Sequence, residues 1–326
     1  MTWRGTNPGP AAPMPGAWEY SPPGPWKLQG GPGGGAANPP AMLDFSRPRI
    51  FGVLNVTPDS FSDGGRFLAP EDALAQARRM VAEGADVIDV GGASSHPQAA
   101  PVTPDEELRR LRSVLPALVE ELGKTSGNQT GGPVPISIDT QHPKVAEACL
   151  AMGAHIINDV SGMTDNAMAR VAAAHGAPMV LTYNNFTVPK EASGLSFLSD
   201  MLAFFDERLE EAAALGLERV ILDPGYGFGK SLQENLILLR SLHMLGRFGR
   251  PVLICTSRKG SLGRLTGEAV PSERLGASLA TTLFAITQGA VLARVHDVKA
   301  FHQALTAWWA IEALRGEDGP GGGDFA

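Results

Sequence analysis

Short apolar runs alternate with longer amphipathic stretches along most of this chain. The runs RIFGVLNV, DVIDVGG, PISIDT, HIINDV, PMVLTY, RVILDPG, PVLICTS and VLARVHD are rich in Val, Ile and Leu. Such runs read as strands. Between them lie stretches of helical period, among them PEDALAQARRMVAEG, PDEELRRLRSVLPALVEELG and SLQENLILLRSLHMLG. Acidic residues crowd several helix starts and Gly follows several ends, as capping and the helix dipole favour. Eight such βα units predict an α/β fold, a single (β/α)8 TIM barrel. A doubly wound sheet is the runner-up, but it usually has fewer parallel strands.

Each apolar run ends in something polar. In order these residues are Asn55, Asp89, Asp139, Asn158, Thr182 with Tyr183, Asp223, Ser257-Arg258-Lys259, and Arg294 with His296. In a barrel they converge on the C-terminal face, where active sites sit. Turn formers alone would explain the Asn and Asp residues, but not a ring that also holds Lys, Arg and His.

Composition narrows the picture. Of 326 residues, 43% are hydrophobic and 19% charged, a globular balance with ample core. A net charge of -7 with no basic run argues against a nucleic-acid binder. No apolar stretch is long enough to span a membrane, and the first residues lack the apolar core of a secretory signal. Cys149 and Cys255 lie far apart, without metal-ligand spacing, and read as buried thiols in a reducing cytoplasm. Residues 1–45 are expected to form a disordered, flexible Gly/Pro-rich extension, although Trp3, Trp18 and Trp26 are unusual for a linker. The barrel should occupy 46–316, and 317–326 a flexible tail. Asn128-Gln-Thr reads as an accidental glycosylation match.

DPGYGFGKS (223–231) invites a phosphate-loop reading, but Pro224 stands where that pattern requires Gly. The glycines are better suited to bringing backbone close to a flat ligand, with Phe228 against its face. The histidines show no zinc-ligand spacing. The loop NVTPDSFSDGG (55–65) is longer, more acidic and richer in hydroxyls than a strand-to-helix connection requires.

GVLNVTPDSFSDGG, DVIDVGGASSHP, ISIDT, HIINDVSG, ILDPGYGFGK, TSRKG and RVHDV stand in the same order as in the dihydropteroate synthase family, which the chain resembles from about residue 49 to 315. The resemblance implies a (β/α)8 barrel, typically a homodimer. Its activity would join 4-aminobenzoate to 6-hydroxymethyl-7,8-dihydropterin diphosphate, releasing pyrophosphate on the folate pathway, with Mg2+ accompanying the diphosphate. Asp139, Asn158, Asp223 and Lys259 match the family's pterin residues. Asn55, Arg294 and His296 would take the diphosphate, with Asn55 also offering oxygen to the metal. Asp89 would either contact the ligand or orient its neighbours.

The resemblance further implies an SN1-like path. The first loop would close over the diphosphate, with Asp63 stabilising a methylene cation, Thr57 and Ser60 holding the loop shut and Phe61 walling the amine. Ser95, His96, Pro97, Arg258, Gly260 and Ser261 would border the 4-aminobenzoate side. Here the chain departs from the family. Ala93-Ser94-Ser95-His96-Pro97 replaces Glu-Ser-Thr-Arg-Pro, Thr182-Tyr183-Asn184 replaces Met-His-Met, and Gly260 replaces Ser. These changes keep two other readings open: a pterin-binding paralogue without synthase activity, and a transferase using another acceptor, including a pterin-dependent methyltransferase.

Overall fold

The computed structural model describes residues 23–29, 40–57, 70–93, 101–125, 127, 132–186 and 196–314. Two short strands come first, β1 (Trp26–Leu28) and β2 (Ala41–Leu43). The barrel strands are β3 (Arg49–Asn55), β4 (Val87–Gly91), β5 (Ile136–Asp139), β6 (Ile156–Asp159), β7 (Met179–Thr182), β8 (Val220–Asp223), β9 (Leu253–Ile254) and β10 (Leu292–Val295). The helices are α1 (Pro70–Glu83), α2 (Pro104–Lys124), α3 (Pro143–Ala151), α4 (Asn166–Ala174), α5 (Phe197–Ala214), α6 (Leu232–Arg240), α7 (Gly260–Thr266), α8 (Leu275–Thr287) and α9 (Val298–Leu314).

Strands β3 to β10 form one parallel sheet in the order β8-β7-β6-β5-β4-β3-β10-β9. A bridge between Leu222 and Val252 joins the two ends and closes the barrel. All eight strands expected from the sequence are present. One helical stretch differs: α6 stops at Arg240, and a 3-10 helix (Leu242–Phe248) continues to Gly249, which ends it in the left-handed region.

Alternation along the strands sorts their side chains into three groups. Outward residues such as Ile50, Ile88, Ile138, Ile157 and Leu222 pack with the helices in the larger core. Inward residues near the strand starts (Phe51, Val87, Ile156, Val180, Ile221, Leu253 and Leu292) form a second apolar cluster inside the barrel. Inward residues near the strand ends are polar, which concentrates the hydrophilic side chains at one mouth.

The opposite mouth is plugged. β1 and β2 pair antiparallel, and Leu28, Ala41, Leu43 and Phe45 join the inner apolar cluster. Arg49 ties the plug down by donating from Nε to the Asp44 carbonyl at 2.7 Å and pairing with the Asp44 carboxylate. Arg219 donates to the Lys27 carbonyl at 2.6 Å. At these two stretches the expectation of a flexible extension is corrected: alternate apolar residues in three-residue strands find the open end of the barrel. Trp3, Trp18, Asn128 and the tail at 317–326 lie outside the described residues.

Removing residues 1–45 should therefore destabilise the barrel. Burying Leu28, Leu43 and Phe45 is worth about 1.5–3 kcal/mol each as an upper estimate. A fall in thermal midpoint of at least several degrees is expected on truncation, read by calorimetry. An unchanged midpoint would mean that the plug contributes little.

Candidate active site

Asp89, Asp139 and Arg294 meet on the barrel axis. Arg294 donates from Nε to Asp89 at 2.6 Å and from Nη2 to Asp139 at 2.6 Å, and its Nη1 lies 4.0 Å from Cys255 Sγ. All three are buried. Buried charges persist only when well paired, and this arrangement bridges one cation between two carboxylates. Asn158 Nδ2 reaches Asp89 at 3.4 Å, while its Oδ1 is buried with no partner among the described residues. Thr182 Oγ1 is likewise buried and unpartnered there. Polar atoms of this kind are normally satisfied, so their position on the axis points to a polar ligand.

Asp223 accepts from Gly225 N at 2.7 Å. Burial raises its pKa, opposed by the Gly225 N–H and by the charges of Lys259, Lys230 and Arg294. Burial also pushes Asp139 upward, against the pull of Arg294. Both carboxyls are poised by opposing influences, as in functional sites.

The loop after β8 forms a platform. Gly225 has φ +67, and a Cβ there would lie 2.0 Å from the Tyr183 carbonyl oxygen, so only glycine fits. Lys230 is buried and donates from Nζ to the carbonyls of Tyr183 (3.0 Å), Gly225 (2.9 Å) and Phe228 (3.3 Å). Asn235 accepts from Gly227 N at 2.6 Å and donates to the Lys230 carbonyl at 3.2 Å. The lysine that suggested a phosphate loop is thus an internal clamp. Above this platform, Lys259 Nζ lies 4.1 Å from the Phe228 ring centroid, within cation–π reach.

His296 shares a hydrogen bond with Ser257, Nδ1 to Oγ at 3.0 Å, and its backbone N–H donates to the same oxygen. Burial, then the charges of Arg294 and Arg258, lower its imidazole to about 3. This lowering favours the neutral imidazole, which can give or take a hydrogen bond. The sequence placed Arg294 beside Asn55. The structure commits two of its nitrogens to Asp89 and Asp139, while Asn55 stands half-buried at the end of β3.

One departure from the family pattern lies in the core. The Tyr183 ring is buried against Phe204 at 5.2 Å, with Lys230 Nζ 4.6 Å from its centroid, so it belongs to the core rather than to an amine pocket. Ser261 is buried within α7 beside Tyr226. Gly260 is exposed, with open space where a side chain would stand. Arg258 forms a two-point pair with Asp297 at 3.0 and 2.6 Å.

Sequence reasoning missed Lys230, Asn235, Glu107 and Arg110. Glu107 is buried under Gly92, and burial raises its carboxyl to about 7, while a hydrogen bond from Thr140 opposes the rise. Arg110 donates to the Gly92 carbonyl at 2.9 Å, at the root of the second loop. Phe61, Asp63, Ser60, Ser95, His96 and Pro97 lie outside the described residues.

Comparison with known proteins agrees with this geometry. The family profile described as "Pterin binding enzyme" matches residues 51–296. The dihydropteroate synthase of Bacillus subtilis is 40% identical over 264 residues, covering 80% of this chain and 87% of the relative. The structure of Xanthomonas albilineans dihydropteroate synthase with 4-aminobenzoic acid superposes with a TM-score of 0.74 at 40% identity, covering 84% of this chain and 96% of that one. The same enzyme in complex with 7,8-dihydropteroate gives 0.73 at 39% identity, over 84% and 97% of the two chains.

Proposed function

This chain belongs to the pterin-binding enzyme family, and we propose that it catalyses the dihydropteroate synthase reaction at the polar mouth of its barrel. The pterin's guanine-like edge carries N–H donors beside a carbonyl. Asp139 and Asp223 accept from the donors, Asn158 both gives and accepts, and Lys259 donates to the carbonyl and ring nitrogen. The observation that carries this reading is the unpartnered Asn158 Oδ1 on the barrel axis, next to carboxylates held by Arg294 and Gly225. Phe228 supplies an apolar face to the flat ring.

Synthesis then proceeds by cleavage of the bond from the exocyclic methylene to oxygen, whose electrons leave with pyrophosphate. The 4-aminobenzoate nitrogen attacks the resulting cation and loses a proton. Asp63 steadies the cation, Phe61 walls the amine, and the first loop, rooted at Thr57, excludes water that would otherwise trap the cation. Arg294 holds the carboxylates of Asp89 and Asp139 in place at the floor of the site, and His296 offers a ring N–H to the leaving group. Ser95, His96, Pro97 and Arg258 border the amine.

Among the described residues, no group of three or more His, Cys, Asp or Glu is placed to hold a metal. Mg2+ would be carried mainly by the diphosphate, with the Asn55 carbonyl oxygen as a ligand from the chain. The ion would supply charge neutralisation of the leaving group. We also assign a homodimer, because Phe284 on α8 and Ile311 on α9 are large apolar side chains left 43% and 62% exposed. A cytoplasmic setting suits the two buried free thiols.

The assay is pyrophosphate release from the pterin diphosphate with and without 4-aminobenzoate. Release that depends on the amine supports the synthase. Pterin binding without release would identify a binding paralogue instead.

His96 adds a pH prediction. It stands where the family carries Arg, and protonated imidazole would form the stronger, charge-assisted bonds to an anion. Burial and the charges of Arg294 and Arg258 lower His296, so loss of kcat/KM as pH rises through the ordinary imidazole range is assigned to His96. His96→Arg should flatten that decline and be at least as active at pH 8. A decline that persists in His96→Arg would assign it elsewhere.

A further inference from the structure

Arg258 is one of two non-glycine residues with positive φ among those described, at +60. This conformation is uncommon for a side-chain-bearing residue and persists only where the surroundings impose it. Its N–H donates to Ser278 Oγ at 3.0 Å, and its carbonyl accepts from Arg274 Nη1 at 2.9 Å. Ser278 Oγ in turn donates to the Arg274 carbonyl at 2.8 Å, so the two clamps form one unit. Arg274 is itself fixed by Nε to the Glu268 carbonyl at 3.0 Å. Gly263 makes room for it, since a Cβ there would fall 2.7 Å from Arg274 Nε. The next residue along the chain is Lys259, whose N–H is bound to the Thr256 carbonyl at 3.2 Å and whose stem lies against Gly227.

We propose that Ser278 and Arg274 are positioning residues for Lys259: by gripping the N–H and C=O of left-handed Arg258, they fix the direction in which Lys259 leaves the loop after β9 and hold its ammonium over Phe228. The inference rests on the assignment of Lys259 to the pterin. Glycine at position 258 would adopt this backbone without strain, but it would lose the pair with Asp297. Arg258 therefore keeps its side-chain contact at the expense of a backbone that two other residues must hold. Both clamps come from the segment after α7, not from the strand ends that carry the pterin contacts.

Coupling to Lys259 separates positioning from mere support of the fold. Calorimetric affinity for 6-hydroxymethylpterin would be measured for the wild type, Ser278→Ala, Lys259→Met and the double variant, with thermal midpoints alongside. Ser278→Ala should weaken binding about tenfold, and Lys259→Met more. The double variant should match Lys259→Met within about twofold, because a misaimed lysine and a missing one are the same loss. Additive losses, or wild-type affinity in Ser278→Ala, would overturn the proposal. Should Ser278→Ala not fold, Arg274→Met carries the same cycle with the same expected pattern. If the wild type does not bind the pterin, the functional reading fails. If it binds and Lys259→Met weakens it, but the clamp variants do not, only this inference fails.

Discussion

Arg294→Met should abolish synthesis and destabilise the barrel by about 3–5 kcal/mol, the usual consequence of stranding a buried partner charge. Two carboxylates, Asp89 and Asp139, depend on this one guanidinium at 2.6 Å each. Without it they lie close together, buried and unpaired, and at least one must take up a proton. The pH dependence follows in sign. Burial already raises Asp139 above its ordinary value, and loss of Arg294 raises it further. A carboxyl with a raised folded-state pKa contributes stability that is present below its unfolded pKa of about 3.9 and lost as pH rises through the folded value. Arg294→Met should therefore be less destabilised near pH 5 than at pH 8. Urea unfolding at the two pH values checks this, and equal loss at both would place the cost elsewhere. Adding Asp89→Asn to Arg294→Met should recover part of the stability without recovering activity.

Asp223→Asn should lower kcat/KM by about 100-fold or more while leaving the fold intact. The amide oxygen can still accept the Gly225 N–H that Oδ1 now accepts at 2.7 Å, so the platform loop keeps its anchor. The new NH2 would instead face pterin N–H groups, donor against donor. A lost charged acceptor and a buried donor left unpaired cost roughly 1.5–3 kcal/mol each, and each 1.36 kcal/mol is a factor of ten. Calorimetry with 6-hydroxymethylpterin should show most of this as lost affinity, with the thermal midpoint within a few degrees of wild type. Affinity within about threefold of wild type would remove Asp223 from the pterin site.

The barrel was legible because strands buried on both faces read as continuous apolar runs, and because polar residues closed every run. Asp139, Asn158, Asp223 and Lys259 were legible from the same strand ends and from the resemblance. The clamps were not. Ser278 looks like an ordinary hydroxyl in the apolar stretch of α8, although Ser278, Thr281 and Thr282 recur at helical spacing toward Thr256 and Arg258. That spacing was the available signal. Glu107 looked like a routine acid in a first helical turn, and only the packing shows it buried. The lowering of the His296 imidazole was not legible, because burial and neighbouring charge are tertiary facts. The plug escaped notice because three-residue strands separated by a Gly-rich segment carry too little period to register.

The most direct measurement is the product itself. Purified protein supplied with 6-hydroxymethyl-7,8-dihydropterin diphosphate, 4-aminobenzoate and Mg2+ should form dihydropteroate, identified by mass, in equal amount to the pyrophosphate released. Asp223→Asn, measured alongside, should form little of either. Saturating pterin binding with no dihydropteroate formed would contradict the account, leaving a barrel that recognises the pterin but does not join it to the amine.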